Sequence, residues 1–158
     1  MRHLGKAAAA FAVLGLLAGG GAAMAEDDVD AAIKYRKAAM KAVGGHIGGL
    51  VAVMKGDIDN AAGLPAHADG LVAATNPAML KRAFKQNTAG KGSEQTTSNA
   101  KIWGDFARFE KAIDDMNAAA IQIQTAAAAG SLTSFDQLKP VLKECGFCHR
   151  DSGFRDKK

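Results

Sequence analysis

The chain has 158 residues and a formal net charge of +4, with 20 basic against 16 acidic side chains. This charge is mild, and no basic patch is interleaved with aromatic residues, so nucleic-acid binding is not predicted. No carboxylate pair, nucleophile–base arrangement or phosphate-binding loop stands out, and we therefore do not expect an enzyme.

The N-terminal segment has the pattern of an export signal. Two basic residues precede a short apolar run at residues 7–17, and an A-x-A cleavage site ends at Ala25. The run is shorter than the ~20 residues that span a bilayer, although an uncleaved anchor is the alternative. We expect a cleaved signal peptide at 1–25 and one periplasmic domain at 26–158, with no further membrane span.

The mature chain is predicted to be helical nearly throughout, because alanine is abundant and no run alternates apolar with polar residues. Glycine and proline divide it into about four helices. The first helix is predicted at about 29–55, ended by Gly56, and the second at about 58–84, shortened or kinked by Pro65 and Pro77. The third is predicted to begin at a cap of Ser98 or Asn99 and to end at Gly130. The last helix is predicted to begin near Thr133, with Asp136 as capping partner. Four helices with short or moderate connections predict an all-α, antiparallel up-down four-helix bundle.

The first helix is unusual because four glycines lie between residues 44 and 49. Each glycine lowers helix propensity by about 1 kcal/mol relative to alanine, so a compensating contact is expected. Gly44 lies one turn after Met40, where it leaves room for a flat ligand. Gly45 and Gly49 point the other way and permit close packing of another helix or a second subunit. A locally frayed helix is the alternative.

The sequence suggests roles for four further residues. Trp103 is predicted to be a core residue, with an N–H donor role in a binding site as the alternative. Pro140 either bends the last helix or marks its first turn. His46 lies about 120° around the first helix from Met40, so the two cannot face one ligand. His46 and His67 are predicted to be surface or satisfied histidines.

The motif Cys145-Gly146-Phe147-Cys148-His149 holds both cysteines of the chain. C-x-x-C-H is the attachment signature of a c-type haem. On one helix face, two thiols meet the two vinyl groups while the imidazole reaches the iron. A zinc site would need four ligands, a redox C-x-x-C would need a βαβ context, and a plain disulfide would leave His149 unexplained. We predict one covalent haem c on Cys145 and Cys148, with His149 as iron ligand.

Three features of the mature chain resemble the cytochrome c′ family, the class II c-type cytochromes. The haem motif comes late in the chain, residues 35–46 are similar to the family's first-helix pattern, and Lys101-Ile102-Trp103 is similar to the entry of its third helix. The resemblance covers the whole mature chain, and it implies a four-helix bundle around one haem.

The residue opposite the iron-binding histidine divides this family. It is Leu or Phe where the iron is five-coordinate and high-spin, and methionine in a low-spin branch. The matching position here is Met40. The resemblance thus implies iron ligated by His149 and Met40, in an electron-transfer protein that exchanges electrons with redox partner proteins. The alternative is that Met40 packs without ligating, and that NO or CO takes the open position in a gas sensor or scavenger.

The resemblance implies three further features. Arg36 matches the family's arginine near a haem propionate. The family's aromatic–arginine pair follows the motif histidine by three and four residues, whereas Phe154-Arg155 follows here by five and six. This departure leaves the role of Arg155 open, with Arg150 as a substitute. Family members often form homodimers through their first two helices, so a homodimer is expected.

Overall fold

The computed structural model describes residues 28–156, so the signal peptide predicted at 1–25 lies outside the described residues. The helices are α1 (Val29–Lys55), α2 (Leu64–Ala74), α3 (Pro77–Phe84), α4 (Lys101–Gly104), α5 (Phe106–Ala128) and α6 (Lys139–Gly146). A π-helical turn at Phe147–Asp151 follows α6 directly.

These helices form the four antiparallel segments of the predicted bundle. The segments are α1, α2 continued by α3, α4 continued by α5, and α6 with its π turn. α1 packs against α2 and α3, and α5 packs against α2, α3 and α6. The predicted all-α up-down four-helix bundle is therefore confirmed. Over residues 28–156, none of the helices combines the length and the apolar character that a bilayer crossing needs.

The bounds of α1 agree with the sequence prediction. The side chain of Asp28 accepts the backbone N–H of Ala31 at 2.9 Å and caps the first turn. Gly56 adopts a left-handed conformation with φ 77° and ends the helix. The stretch at residues 44–49 remains helical, so the fraying alternative is not observed.

The second predicted helix is divided into α2 and α3. Pro65 and Pro77 lie in the first turns of these helices, where a missing N–H has no cost. The Asn76 side chain caps α3 by accepting a backbone N–H at 3.2 Å. The amide of Asn117 on α5 donates to the buried Thr75 hydroxyl at 3.0 Å. This hydrogen bond connects the junction of α2 and α3 to α5.

The third predicted helix is interrupted after Gly104, so the prediction of one continuous helix was wrong there. Asp105 has φ −140° and ψ 61°, outside the helical region, and its side chain caps the first turn of α5. The two predicted ends of this helical segment agree with the structure. Asn99 Oδ1 accepts the first backbone N–H of α4 at 3.0 Å, and Gly130 closes α5 with φ 65°.

The N-cap at the start of the last helical segment differs from the predicted one. Ser134, rather than Thr133, is the N-cap, and its hydroxyl accepts the N–H of Asp136 at 3.2 Å. Gln137 Oε1 completes the capping box by accepting the Ser134 N–H at 2.9 Å. Pro140 lies in the first turn of α6 and does not bend it. This resolves the alternative that the sequence left open.

Two clusters of buried side chains form the core. The first cluster joins α1, α2, α5 and α6, and the second joins α1, α3, α4, α5 and the C-terminal tail. The first cluster includes Val43, Leu50, Leu71, Ala120, Ile123, Leu138 and Val141. The second cluster includes Ala39, Leu80, Phe84, Ile102, Phe109, Ile113 and Phe154. Met40 and Met116 pack against both clusters and connect them.

Candidate haem site

The C-x-x-C-H motif crosses the junction of α6 and the π turn. Cys145 belongs to α6, while Cys148 and His149 lie in the π turn. The backbone N–H of Ser152 bonds to the Phe147 carbonyl, five residues earlier, at 2.9 Å, which is the π-helical pattern. The sequence pattern had implied one α-helical face for the motif, and this wider turn changes the angular spacing of its side chains.

The two thiols are half-buried and are not joined by a disulfide. Burial raises the pKa of Cys145. Burial, followed by the neighbouring Cys145 and Glu144, raises the pKa of Cys148 to about 11. Both sulfurs therefore carry their protons at neutral pH, and neither has the character of a redox-active thiolate. Two protonated thiols beside a partly exposed imidazole suit thioether formation with a haem.

His149 has one ring nitrogen occupied by a protein contact. Its Nδ1 lies 3.1 Å from Nη1 of Arg155. Partial burial of the ring, followed by the charge of Arg155, lowers the pKa of His149. A metal ligand must be the neutral imidazole, so both causes favour the form that binds iron. Because arginine only donates, Nδ1 is the acceptor in this contact and Nε2 carries the proton of the neutral ring. Iron binding at Nε2 would move that proton to Nδ1 and end the hydrogen bond from Arg155.

The C-terminal tail carries Arg155 to this position, despite its departure from the family spacing. Gly153 makes a turn with φ 74°, and Arg155 then pairs with Ser98 in an isolated antiparallel bridge. The Arg155 Nε–H donates to the Thr97 hydroxyl at 3.1 Å. Arg150 instead lies against Gly146. Arg155 is therefore the cation beside His149, and the inserted residues are absorbed by the turn.

Arg36 is a buried cation with an incomplete set of partners. Its side chain is 2 % exposed, and its Cζ lies 5.2 Å from the ring centroid of Phe84 and 5.5 Å from that of Trp103. Nη2 donates to the Thr88 hydroxyl. Among the described residues, Nε and Nη1 have no hydrogen-bond partner, and burial lowers the pKa of Arg36.

A buried guanidinium is costly unless an anion and further acceptors satisfy it. Arg36 has two nitrogens without a partner among the described residues and lies next to the second cluster, against which Met40 and Cys148 also pack. A carboxylate such as a haem propionate has the charge and the acceptor atoms that these N–H groups lack. The residues present therefore fit a haem, because Arg36 supplies an independent contact beyond the motif itself.

Two contacts of the site were not predicted from the sequence. Thr88 accepts from Arg36, and Thr97 accepts from Arg155, and both threonines lie in the polar linker between α3 and α4. No local pattern marks them, because their role depends on how the linker folds over the bundle.

Trp103 donates its Nε1–H to the Phe84 carbonyl at 2.8 Å, so the alternative of a donor aimed at a ligand is not observed.

The other sequence candidates lie in different environments. Met40 is half-buried on α1 and packs in the apolar core. Gly44 is exposed, and a side chain there would enter open space. His46 and His67 face each other between α1 and α2, with ring centroids 5.8 Å apart. Neither histidine belongs to the candidate haem site.

Comparison with known proteins agrees with this geometry. The family model described as Cytochrome C' matches residues 31–155. Cytochrome c' of Pararhodospirillum photometricum is 31% identical over 121 residues, which cover 76% of this chain and 94% of the relative. The structure of ferric cytochrome c prime from Alcaligenes xylosoxidans has a TM-score of 0.70 and 27% identity, and the match covers 84% of this chain and 98% of that chain.

A further structure, a ferrous variant of the Alcaligenes xylosoxidans protein with bound NO, matches with a TM-score of 0.70 and 26% identity, over 84% of this chain and 99% of that one. The chain belongs to the cytochrome c′ family. It is a haem protein with one covalent, iron-containing haem c.

These comparisons overturn one prediction. The resemblance had implied a low-spin electron carrier with iron ligated by His149 and Met40. The relatives are named cytochrome c′, the class in which histidine alone ligates a five-coordinate iron. The error has a physical reason. Methionine is both an iron ligand and a flexible, apolar core filler, and a position on a helix does not distinguish these roles.

Proposed function

We propose that this chain is a five-coordinate haem protein that binds NO or CO. In this proposal Cys145 and Cys148 hold the haem through thioethers, His149 Nε2 is the iron's protein ligand, and the opposite face stays open. Membership of the cytochrome c′ family over residues 31–155 carries the proposal. The bound NO in the Alcaligenes xylosoxidans variant supports a diatomic gas as the ligand.

Each side chain of the site has a distinct task in this proposal. When bound, the haem iron supplies the coordination position for the gas. His149 binds the iron as a neutral imidazole, and its lowered pKa supports this state. Arg36 would neutralise a propionate through Nε and Nη1, which have no hydrogen-bond partner among the described residues. Arg155 lies beside the outer nitrogen of His149 and places a positive charge next to the ring.

Met40 would form part of the apolar wall of the haem pocket without ligating the iron. Its side chain packs against both apolar clusters, and a thioether is at most a weak hydrogen-bond acceptor. An apolar wall of this kind disfavours water and anions, which need hydrogen bonds that the wall does not offer. A small neutral molecule such as NO or CO enters without that penalty.

The proposal includes export to the periplasm. The segment 1–25 has the basic start, apolar run and A-x-A site of a signal peptide. Export supports haem attachment, since oxidised thiols and covalently attached haem belong outside the cytoplasm. N-terminal sequencing of the protein from a periplasmic extract tests it: we expect Glu26 as the first residue, and an intact Met1 would contradict a cleaved signal.

The proposal also includes a homodimer formed by α1. Ala38, Ala42 and Gly45 are exposed on one side of this helix, and Tyr35 beside them is 52% exposed. Small side chains let a second helix approach closely. Gly49, which the sequence pattern grouped with Gly45, faces His67 of the same chain, so it is not available to a second subunit.

Sedimentation equilibrium tests the homodimer. Gly45→Leu should convert a wild-type dimer to a monomer, whereas Gly104→Leu on α4 should not, because that glycine also faces open space but lies on a different helix. A wild-type monomer, or a Gly45→Leu variant that remains dimeric, would remove the dimer from the proposal.

The kinetics of CO binding test the open position. In stopped-flow experiments on the ferrous protein, we expect a rate that rises linearly with CO concentration, and Met40→Leu should leave this dependence linear. If Met40 occupied the iron, the rate would instead reach a plateau set by loss of the thioether. A plateau in the wild type that disappears in Met40→Leu would refute the proposal.

A further inference from the structure

Two histidines outside the haem site interlock between α1 and α2. His46 on α1 lies against Gly70 on α2, and His67 on α2 lies against Gly49 on α1. Because the two helices are antiparallel, the contacts are reciprocal and one helical turn apart. The imidazole rings meet edge to face, with centroids 5.8 Å apart and an interplanar angle of 67°.

The two glycines create the space that the rings occupy. A Cβ atom at Gly49 would overlap the ring of His67, and a Cβ atom at Gly70 would overlap the ring of His46. Gly44, Gly45 and Gly48 on α1 have no such neighbour and would accept a Cβ. Gly49 is therefore a glycine of α1 whose missing side chain makes room for a histidine of α2.

These imidazoles are not engaged by the groups that usually hold a histidine. His46 Nδ1 is buried and has no hydrogen-bond partner among the described residues. The nearest carboxylate in sequence to His67, that of Asp69, accepts a hydrogen bond from Gln124 on α5 at 2.9 Å. A buried nitrogen without a partner is costly, and a metal ion is one means of satisfying it.

We propose that His46 and His67 bind one divalent transition-metal ion between α1 and α2. Imidazole nitrogens bind Zn²⁺ at about 2.0–2.1 Å, so two rings that share an ion have centroids roughly 5–6 Å apart. The observed 5.8 Å lies in this range. Imidazole suits Zn²⁺, Cu²⁺ and Ni²⁺, whereas Ca²⁺ and Mg²⁺ prefer oxygen ligands.

The site has two protein ligands, and water completes the coordination. No group of three or more His, Cys, Asp or Glu side chains within residues 28–156 has the arrangement of a metal site. We therefore expect reversible binding, weaker than that of a four-ligand structural zinc site. The two histidines lie between α1 and α2, whereas the haem motif lies in α6 and the π turn. A bound ion joins α1 to α2 and stabilises this pair.

Calorimetric titration of the haem-loaded protein with ZnCl₂ tests the proposal. We expect one ion per chain in the wild type. His46→Gln and His67→Gln should each weaken binding at least tenfold, and the double variant should bind no better than either single one, because each substitution removes the chelate. Asp69→Asn, which changes a neighbouring group outside the site, should bind like the wild type. Single variants that keep wild-type affinity would overturn the proposal.

A second measurement uses the wild type alone, in case a substitution disturbs the packing of α1 on α2. Cu²⁺ added in equimolar amount should give an electron paramagnetic resonance spectrum with hyperfine coupling to imidazole nitrogens, distinct from the ferric haem signal. The melting temperature should rise with Zn²⁺ and return to its starting value with EDTA. A copper spectrum without nitrogen coupling would overturn the site, as would a melting temperature that Zn²⁺ leaves unchanged.

Discussion

Nη1 of Arg155 lies 3.1 Å from Nδ1 of His149. Arg155 reaches this position because Gly153 turns the chain and Thr97 accepts a hydrogen bond from its guanidinium. The cation therefore lies at the outer edge of the imidazole that we propose as the iron ligand. Arg150, which is nearer in sequence, lies against Gly146 instead.

This contact predicts unequal effects of two arginine substitutions on the haem reduction potential. A nearby positive charge disfavours the ferric state, because ferric iron carries one more positive charge than ferrous iron. Arg155→Met should therefore lower the midpoint potential more than Arg150→Met, which removes the same charge. Spectroelectrochemical titration measures both, and the difference should shrink at high salt. Equal shifts would contradict a specific contact with His149.

Covalent attachment depends on the two half-buried thiols. Cys145→Ala combined with Cys148→Ala should yield a polypeptide from which acidified acetone extracts all the haem, since no thioether remains. The single variant Cys145→Ala is the matched control, and it should retain one thioether and therefore some covalent haem. Mass spectrometry after extraction provides the measurement. Covalent haem on the double variant would show that the motif is not the attachment site.

The sequence predicted the parts of this protein that depend on local chemistry. The bounds of α1 follow from Asp28 and Gly56, and the haem motif follows from five consecutive residues. The break at Asp105 was not predicted, because the apolar spacing continues through it. The positions of Thr88 and Thr97 also escaped prediction, since they depend on how a linker without periodicity folds over the bundle. Met40 was misassigned because a ligand and a core residue have the same pattern.

Arg36 should contribute to the stability of the haem-loaded protein through its charge. Arg36→Met keeps most of the apolar stem but removes the hydrogen bond to Thr88 and the proposed contact with a propionate, so we expect a loss of about 2 kcal/mol in the free energy of unfolding. Lys37→Met, at the exposed neighbouring position, removes only a surface ion pair with Glu94 and should cost between about 0 and 1 kcal/mol. Urea unfolding measures both. Equal losses would remove the special role of Arg36.

The linker that carries Thr88 should loosen in acid. Asp30 accepts the backbone N–H groups of Ser93 at 2.7 Å and Glu94 at 2.9 Å. Hydrogen bonding from the Ser93 side chain, followed by the Glu94 N–H, lowers the pKa of Asp30 below its ordinary 3.8. Because the folded pKa is depressed, this anchor is fully present above pH 3.8 and is lost as the pH falls through the lowered value.

Nitrogen relaxation measured by NMR over residues 86–98 tests this anchor. The linker should be ordered at neutral pH and more mobile at a pH well below 3.8, and Asp30→Ala should show the mobile behaviour already at neutral pH. Asp57→Ala, which removes a carboxylate beyond the end of α1, is the control and should leave the linker ordered. An Asp30→Ala linker as ordered as the wild type would contradict the role of Asp30.

The spin state of the ferric iron decides whether the position opposite His149 is open. With His149 as the only protein ligand, electron paramagnetic resonance of the wild type should show high-spin ferric haem, and Met40→Leu should leave the spectrum essentially unchanged, because Met40 serves only as a wall of the open face. A low-spin wild type that becomes high-spin in Met40→Leu would contradict five-coordinate iron and show that the thioether occupies the position reserved for the gas.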